Sequence, residues 1–168
     1  MTANAKESVN QKFGGKVRVR VGGILIENRK ILLLKHEGVG KKEFIWSPPG
    51  GGMEFDGDAE KNLKREFVEE TGLEIKVHEL LFVNEFMNDK IHAIELFFKV
   101  EKTGGILKLG KDPEMGKQQI LTDLVFFDEN KLLNTESDYL HNMFIGINKP
   151  QEVLNLKGYF KFVNNSIK

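Results

Sequence analysis

The chain alternates apolar and polar residues from about residue 16, with the two-residue period of a β-strand. Two apolar runs then flank residues 27–30, whose polar composition is typical of a turn, so this region predicts a β-hairpin. After a glycine-rich loop, the apolar period becomes helical over residues 58–71, which predicts an α-helix. Asp58 is a suitable N-cap for this helix, and Gly72 is a suitable residue just beyond its C-terminus.

Strand-like patterns dominate the rest of the chain, interrupted by two short helical segments. The strands are expected at residues 73–86, 90–101, 119–127 and 158–163, and the short helices at 128–133 and 137–147. Strands outnumber helices, and the long helix lies between two blocks of strands. The pattern therefore predicts an α+β fold or a layered α/β/α domain.

The first residues of the chain differ from the strand-rich remainder. Residues 1–14 show neither apolar periodicity nor a turn signal that would dock them, so we expect a flexible tail there. The remaining residues, 15–168, are expected to form a single domain, which suits their number.

The composition narrows the class of protein. The 168 residues include no cysteine, which excludes a disulfide scaffold, a cysteine-ligated metal site and a thiol nucleophile. The 25 Lys and Arg residues balance 25 Asp and Glu residues, so the chain lacks the basic excess of a broad nucleic-acid-binding surface. No apolar run has the length of a signal-peptide core or a membrane span, and we expect a cytoplasmic protein with no membrane partner.

The most informative segment is PGGGMEFDGDAEKNLKREFVEETGL, residues 49–73. On the predicted helix, three apolar residues form one arc; Glu70 projects inside that arc, and Glu66 and Glu69 lie beside it. These three carboxylates are close enough to repel one another, and partial burial makes each charge costlier. A hard divalent cation such as Mg²⁺ would compensate them, because it prefers carboxylate oxygens.

Neighbouring residues favour a charged site over an ordinary capped helix. Arg65 precedes Glu69 by one helical turn and can pair with it. The glycines at 50–52 let the backbone approach closely, and they supply carbonyls for a metal or N–H groups for phosphate. An EExG sequence alone would usually mark an ordinary helix end. Here the glycine loop, the Arg–Glu pair, the Glu pair and the terminal glycine occur together, which makes chance a poor explanation.

Residues 51–73 resemble the signature of the Nudix hydrolases, G-x5-E-x7-R-E-U-x-E-E-x-G-U, where U is apolar. The matching positions are Gly51, Arg65, Glu66, Phe67, Glu69, Glu70, Gly72 and Leu73. One position departs from the signature, because Gly57, flanked by Asp56 and Asp58, stands where the family has its first Glu. The strand pattern over residues 16–130 is similar to the family's α/β/α sandwich with a mixed sheet.

The resemblance implies hydrolysis of the pyrophosphate bond in a nucleoside diphosphate linked to another moiety, such as a nucleoside triphosphate, ADP-ribose or a sugar nucleotide. It also implies Mg²⁺ or Mn²⁺ as the cofactor. By position, Glu66, Glu69 and Glu70 look like metal ligands, with Gly51 lending a backbone carbonyl, and the same three glutamates together with Arg65 form the catalytic set. The residue that accepts the proton of the attacking water is left open. The oligomeric state is left open as well, with a homodimer as one alternative.

A second interpretation is a catalytically weak or inactive nucleotide-binding or sensor protein with the same fold. Its only support in the sequence is Gly57. The family's Glu at that position would support the start of the helix or pair with the arginine, so we expect its loss to weaken activity without abolishing it. We also expect Gly57→Glu to be tolerated, with a modest gain in stability or metal affinity, provided that Gly57 has no positive φ.

Three residues outside the signature are candidates for substrate contacts. Glu114, in the loop KDPEMGKQQ, could act as a base, since similar family members often use a loop carboxylate. Trp46 could stack on a base or a sugar, and Arg20 could bind phosphate. Each has an ordinary alternative: a solvated loop for Glu114, core packing for Trp46 and an exposed strand edge for Arg20.

Overall fold

The computed structural model describes residues 2–163, which form a mixed β-sheet with three α-helices around it. The strands are β1 Val17–Glu27, β2 Lys30–Glu37, β3 Phe44–Ser47, β4 Gly50–Gly52, β5 Leu73–Met87, β6 His92–Gly105, β7 Leu121–Phe127 and β8 Gly158–Val163. The α-helices are α1 Thr2–Phe13, α2 Ala59–Thr71 and α3 Glu129–Leu133, and 3-10 turns occur at Pro113–Met115, Ser137–Tyr139, Asn142–Phe144 and Pro150–Asn155. Within this range, no helix is both long and apolar enough to cross a lipid bilayer.

The sheet has the order β3-β2-β1-β6-β5-β8, with β4 paired to β1 and β7 paired to β2. β1 runs parallel to β6, and β5 runs parallel to β8, whereas the other pairs are antiparallel. The predicted hairpin is confirmed: Asn28 and Arg29 both have positive φ, as a two-residue type I′ turn requires. The α+β fold with a mixed sheet is confirmed as well.

Helix α2 is fixed at both ends and along its apolar face. The Asp58 side chain accepts a hydrogen bond from the Lys61 N–H group at 2.8 Å, and Gly72 closes the helix in a left-handed conformation with φ 70°. Leu63 and Phe67 are fully buried against the sheet. A Cβ atom at Gly23 would collide with the Phe67 ring, so this glycine permits close packing of α2 on β1.

The opposite face of the sheet is covered by the C-terminal part of the chain, where the predicted helix at 137–147 is wrong. Two 3-10 turns stand there, separated by Leu140 in an extended conformation. The His141 N–H group donates to the Trp46 carbonyl at 2.9 Å, so pairing with strand β3 replaces the hydrogen bonds of a continuous helix. Met143 and Phe144 are buried in the core next to this segment.

Residues 2–13 form α1, which differs from the flexible tail predicted for residues 1–14. Val9 and Phe13 lie one helical turn apart and are buried against Met115 and Ile120. The helix docks because the loop at 111–119 supplies an apolar partner far along the chain. The single domain at 15–168 stays a prediction.

Candidate active site

Strand β4 brings three glycines against the inner face of α2. A Cβ atom at Gly51 would collide with the carboxylate of Glu66, so only glycine leaves room for that side chain. The Gly50 N–H group donates to Oε2 of Glu70 at 2.9 Å. The two glutamates are 3% and 2% exposed, respectively, which confirms the position beside the apolar arc that the helical period predicted.

The Glu66 carboxylate is held in a largely dehydrated position. Burial raises its pKa to about 7 against the opposing charge of Arg65, and the carboxylates of Glu69 and Asp112 act in the same direction as burial. The proximity of Asp112 was not foreseen, since it belongs to the loop that precedes β7.

The Glu70 carboxylate is even less compensated. Burial and the charge of Glu66 raise the pKa of Glu70 well above its ordinary value, although the Gly50 N–H group and Arg20 oppose the rise. No salt bridge to Glu70 forms among the described residues. Its negative charge, when present, therefore lacks a cation at contact distance.

The Arg65 guanidinium forms ion pairs with Glu66 and Glu69, the other two carboxylates of the signature. Its Nη2 lies 2.8 Å from Oε1 of Glu66, and its Nη1 lies 2.9 Å from Oε2 of Glu69. Arg65 therefore holds the orientation of both side chains; its spacing predicted the pair with Glu69 but not the contact with Glu66. Arg65 forms no ion pair with Glu70, whose carboxylate is bound by the Gly50 N–H group of β4.

Asn62 ties the loop around Gly57 to the start of α2. Its Nδ2 donates to the carbonyls of Gly57 and Asp58, both at 2.9 Å, and its Oδ1 accepts the Glu54 N–H group at 2.9 Å and Nη2 of Arg65 at 3.2 Å. Asn62 is 2% exposed. This role of Asn62 was not predicted from the sequence. A polar residue at a core-facing position of the helix was the feature that could have indicated it.

A second group of charged residues lies on the other side of β4. Glu114 is paired with Arg18 at 3.0 Å, and its Oε1 would lie 3.4 Å from a Cβ atom at Gly52. The ring of Phe13 stacks under the Arg18 guanidinium at 3.7 Å, which connects α1 to this pair. The loop thus brings Glu114 to the glycine strand, as the candidate role required.

Arg20 and Trp46 have different environments. Nη2 of Arg20 lies 3.4 Å from the Gly50 carbonyl, so Arg20 reaches the glycine strand. Trp46 is 8% exposed, belongs to the core and packs on Phe127 with ring centroids 4.9 Å apart. The stacking role proposed for Trp46 does not fit this burial, and the alternative of core packing does.

The donor set fits a divalent cation. Among residues 2–163, no three side chains of His, Asp or Glu converge into a ready-made metal cage. Two dehydrated carboxylates nevertheless lie side by side against a backbone strand that a Cβ atom would obstruct. Of the two, Glu66 is paired with Arg65 and Glu70 has no ion pair with any described residue, and carboxylate oxygens are the ligands that Mg²⁺ and Mn²⁺ prefer.

Comparisons with known proteins identify the family to which this chain is similar. The NUDIX domain model matches residues 16–141. An ADP-ribose pyrophosphatase from Methanocaldococcus jannaschii is 34% identical over 126 residues, which are 73% of this chain and 72% of that protein. A MutT-like protein from Streptomyces ambofaciens is 32% identical over 89 residues, which are 52% of this chain and 54% of that protein.

The fold has solved counterparts as well. A MutT NUDIX hydrolase from Burkholderia pseudomallei superposes with a TM-score of 0.61 at 21% identity, covering 77% of this chain and 95% of that one. The chain therefore belongs to the NUDIX domain family and is a Nudix hydrolase, the class that residues 51–73 predicted.

Proposed function

We propose that this protein hydrolyses the pyrophosphate bond of a nucleoside diphosphate linked to another moiety, with Mg²⁺ or Mn²⁺ as cofactor. The observation that carries the proposal is the pair of dehydrated carboxylates, Glu66 and Glu70, packed against the glycines of β4. ADP-ribose is the first substrate to test, because the relative from Methanocaldococcus jannaschii is an ADP-ribose pyrophosphatase. The sensor interpretation has no such support, because it rests on Gly57 alone.

The residues that would hold the metal are Glu66, Glu69, Glu70 and the backbone carbonyl of Gly51. When bound there, the cation neutralises charge on the phosphates and promotes the attack of water on phosphorus. Arg65 orients Glu66 and Glu69 through its two guanidinium nitrogens. The Gly50 N–H group orients Glu70, so each carboxylate has a defined direction before the substrate binds.

Two residues on the other side of β4 complete the proposed site. Arg20 contacts a phosphate oxygen of the substrate, since its guanidinium is only weakly engaged by the Gly50 carbonyl at 3.4 Å. Glu114 accepts the proton of the attacking water at Oε1, because Oε2 is paired with Arg18 at 3.0 Å. The cytoplasmic location and the homodimer stay predictions.

The test is a panel of nucleotides with Mg²⁺ and with Mn²⁺: ADP-ribose, a UDP-sugar, nucleoside triphosphates and a capped RNA end. We expect metal-dependent release of a nucleoside monophosphate or pyrophosphate from at least one of them. Glu70→Gln should abolish this release, whereas Glu60→Gln, an exposed residue of the same helix paired with Lys64, should not. Absence of hydrolysis across the panel with either metal would contradict the proposal.

A further inference from the structure

A row of polar side chains crosses three neighbouring strands beside the proposed site. Arg20 on β1 lies opposite Glu95 on β6, and Glu95 lies opposite Asn84 on β5. Residues opposite each other in a sheet project from the same face, and neighbouring strands are about 4.8 Å apart. Arg20 therefore stands between the glycine strand on one side and Glu95 on the other.

Only one oxygen of Glu95 is used by the fold. Its Oε2 accepts hydrogen bonds from Nε2 of His141 and from Nδ2 of Asn84, both at 2.9 Å. The Met143 N–H group donates to Nδ1 of His141 at 3.1 Å, so the proton of a neutral imidazole is on Nε2, where it faces Glu95. Burial would raise the pKa of Glu95, but His141, Arg20 and Asn84 reverse this and hold it at about 2. Glu95 is ionised at neutral pH.

The other oxygen, Oε1, accepts no hydrogen bond from any residue in the described part of the chain. Arg20 forms no salt bridge with Glu95 within 4.0 Å, although the two are register neighbours of opposite charge. A cavity of about 10 Å³ lies here, lined by Arg20, Glu95, His141, Ser47, Gly50 and Phe97. This is close to the space that one water molecule requires.

The size and polarity of this cavity define the group that fits it. It offers a cation on one side and a free carboxylate oxygen on the other, so it suits a hydrogen-bond donor attached near an anion. A hydroxyl group fits the volume, whereas an aromatic base does not. In a nucleotide, the ribose hydroxyls lie within one sugar ring of the phosphate, which matches the spacing of neighbouring strands.

We infer that Glu95 is a specificity-determining residue, whose Oε1 accepts a hydrogen bond from a ribose hydroxyl while Arg20 binds the adjacent phosphate. The inference rests on the proposed function, because it takes the ligand to be a nucleotide. Oε1 is not a buried unpaired atom in the free protein, so solvent can reach it there. A ligand that displaces this solvent without supplying a donor leaves the acceptor unpaired, which is costly, so the site rejects analogues that lack the hydroxyl.

The variant Glu95→Gln tests this assignment with little change in shape. His141 and Asn84 both donate toward the Oε2 position, so the glutamine carbonyl must take that position. Its NH₂ group then replaces Oε1, which turns the acceptor facing the cavity into a donor. The matched control is Glu85→Gln, because Glu85 also pairs with a histidine of the same sheet, His92 at 2.7 Å, and lines no part of the cavity.

The experiment measures the dissociation constants of adenosine 5′-monophosphate, its 2′-deoxy and 3′-deoxy analogues and inosine 5′-monophosphate, by calorimetry on metal-free protein. For wild type and Glu85→Gln we expect one deoxy analogue to bind about 10- to 100-fold more weakly than the parent nucleotide. Glu95→Gln should bind the parent more weakly and lose that discrimination.

Equal affinity of wild type for the parent and both deoxy analogues would overturn the assignment. A loss confined to inosine monophosphate would overturn it too, since the base amino group would then be the donor that is recognised. The analogue series on wild type decides the matter even if Glu95→Gln fails to fold. Hydrolysis of the nucleotide panel is scored separately: no hydrolysis defeats the proposed function, whereas hydrolysis without discrimination defeats only the role of Glu95.

Discussion

Two largely buried glutamate sites lie on opposite faces of the sheet at β1, and the pKa values of their carboxyl groups are shifted in opposite directions. On the α2 side, burial and neighbouring carboxylates raise the pKa of Glu66 to about 7 and raise that of Glu70 further above its ordinary value. On the other face, the Glu95 side chain is only 12% exposed, yet its pKa is lowered to about 2 by His141 and other donors. Burial alone therefore does not determine the protonation of these carboxylates. The hydrogen-bond donors and positive charges that the chain places beside each one determine it.

The comparison separates a cluster of three carboxylates, two of which share one arginine, from a single carboxylate whose charge the fold compensates. Glu95 is stabilised by side chains of the fold itself, so its charge needs nothing external. Glu70 has a single backbone donor, the Gly50 N–H group, and its neighbour Glu66 shares Arg65 with Glu69. The α2 site would gain stability from a divalent cation, and the Glu95 site would not.

The largest expected effect is on turnover. Glu69→Gln and Glu70→Gln remove charge from the α2 site with little change in shape, so the fold should persist while kcat falls by about two to four orders of magnitude. The measurement is steady-state hydrolysis of the substrate found in the panel, with Glu60→Gln as the exposed control on the same helix. Near-normal turnover of both variants would remove these residues from the proposed catalytic set.

The next effect is on the pH dependence of stability in metal-free protein. The pKa of Glu66 rises from 4.5 to about 7 on folding, so its contribution to stability is present below pH 4.5 and is lost as the pH rises through 7. Relative to Glu66→Gln, wild type should lose on the order of 3 kcal/mol across this window. Denaturant unfolding of both proteins with a chelator present gives the difference, and a constant offset at all pH values would show that Glu66 is already compensated.

A smaller effect of opposite sign is expected at Glu95. Its pKa is depressed on folding to about 2, so its contribution is present above its ordinary value of 4.5 and is lost as the pH falls through 2. Glu95→Gln should destabilise the protein by about 2 kcal/mol at pH 7, because charge-assisted hydrogen bonds become neutral ones. Thermal unfolding at pH 7 measures this, and increased stability of the variant would mean that the two glutamate sites do not differ as described.

The smallest expected effect is on the stability of Gly57 variants, for which the structure predicts a loss and not a gain. Gly57 has no positive φ, but a Cβ atom would lie 2.8 Å from Nδ2 of Asn62, which is hydrogen-bonded to the start of α2. Gly57→Ala and Gly57→Glu should therefore lower stability by about 1 kcal/mol, which reverses the modest gain that the sequence predicts for Gly57→Glu. Comparing each with the double variant that also carries Asn62→Ala tests the cause, since the cost should vanish once Asn62 is gone.

Local patterns predicted much of the α2 site. The hairpin, both caps of α2 and the burial of Glu66 and Glu70 derive from turn chemistry and helical period, which involve residues close in sequence. Similarity to the family signature supplied the interpretation of these carboxylates.

Long-range contacts explain the features that the sequence did not reveal. His141 reaches Glu95 from a segment that joins strand β3, and Arg18 meets Glu114 through a loop folded back onto β1. Docking of α1 likewise depends on Met115, more than a hundred positions further along the chain. No periodicity within one element encodes such pairings, and they become visible only when the sheet order is known.

The central claim, that the α2 carboxylates are only partly compensated by Arg65 and bind a divalent cation, is tested most directly by the melting temperature as a function of Mg²⁺ concentration. A ligand that binds only the folded state stabilises it by about 2.7 kcal/mol at a hundred times its dissociation constant. We predict a concentration-dependent rise for wild type and for Glu95→Gln, and none for Glu70→Gln. An unchanged melting temperature of wild type up to millimolar Mg²⁺, or the same rise in Glu70→Gln, would contradict the claim.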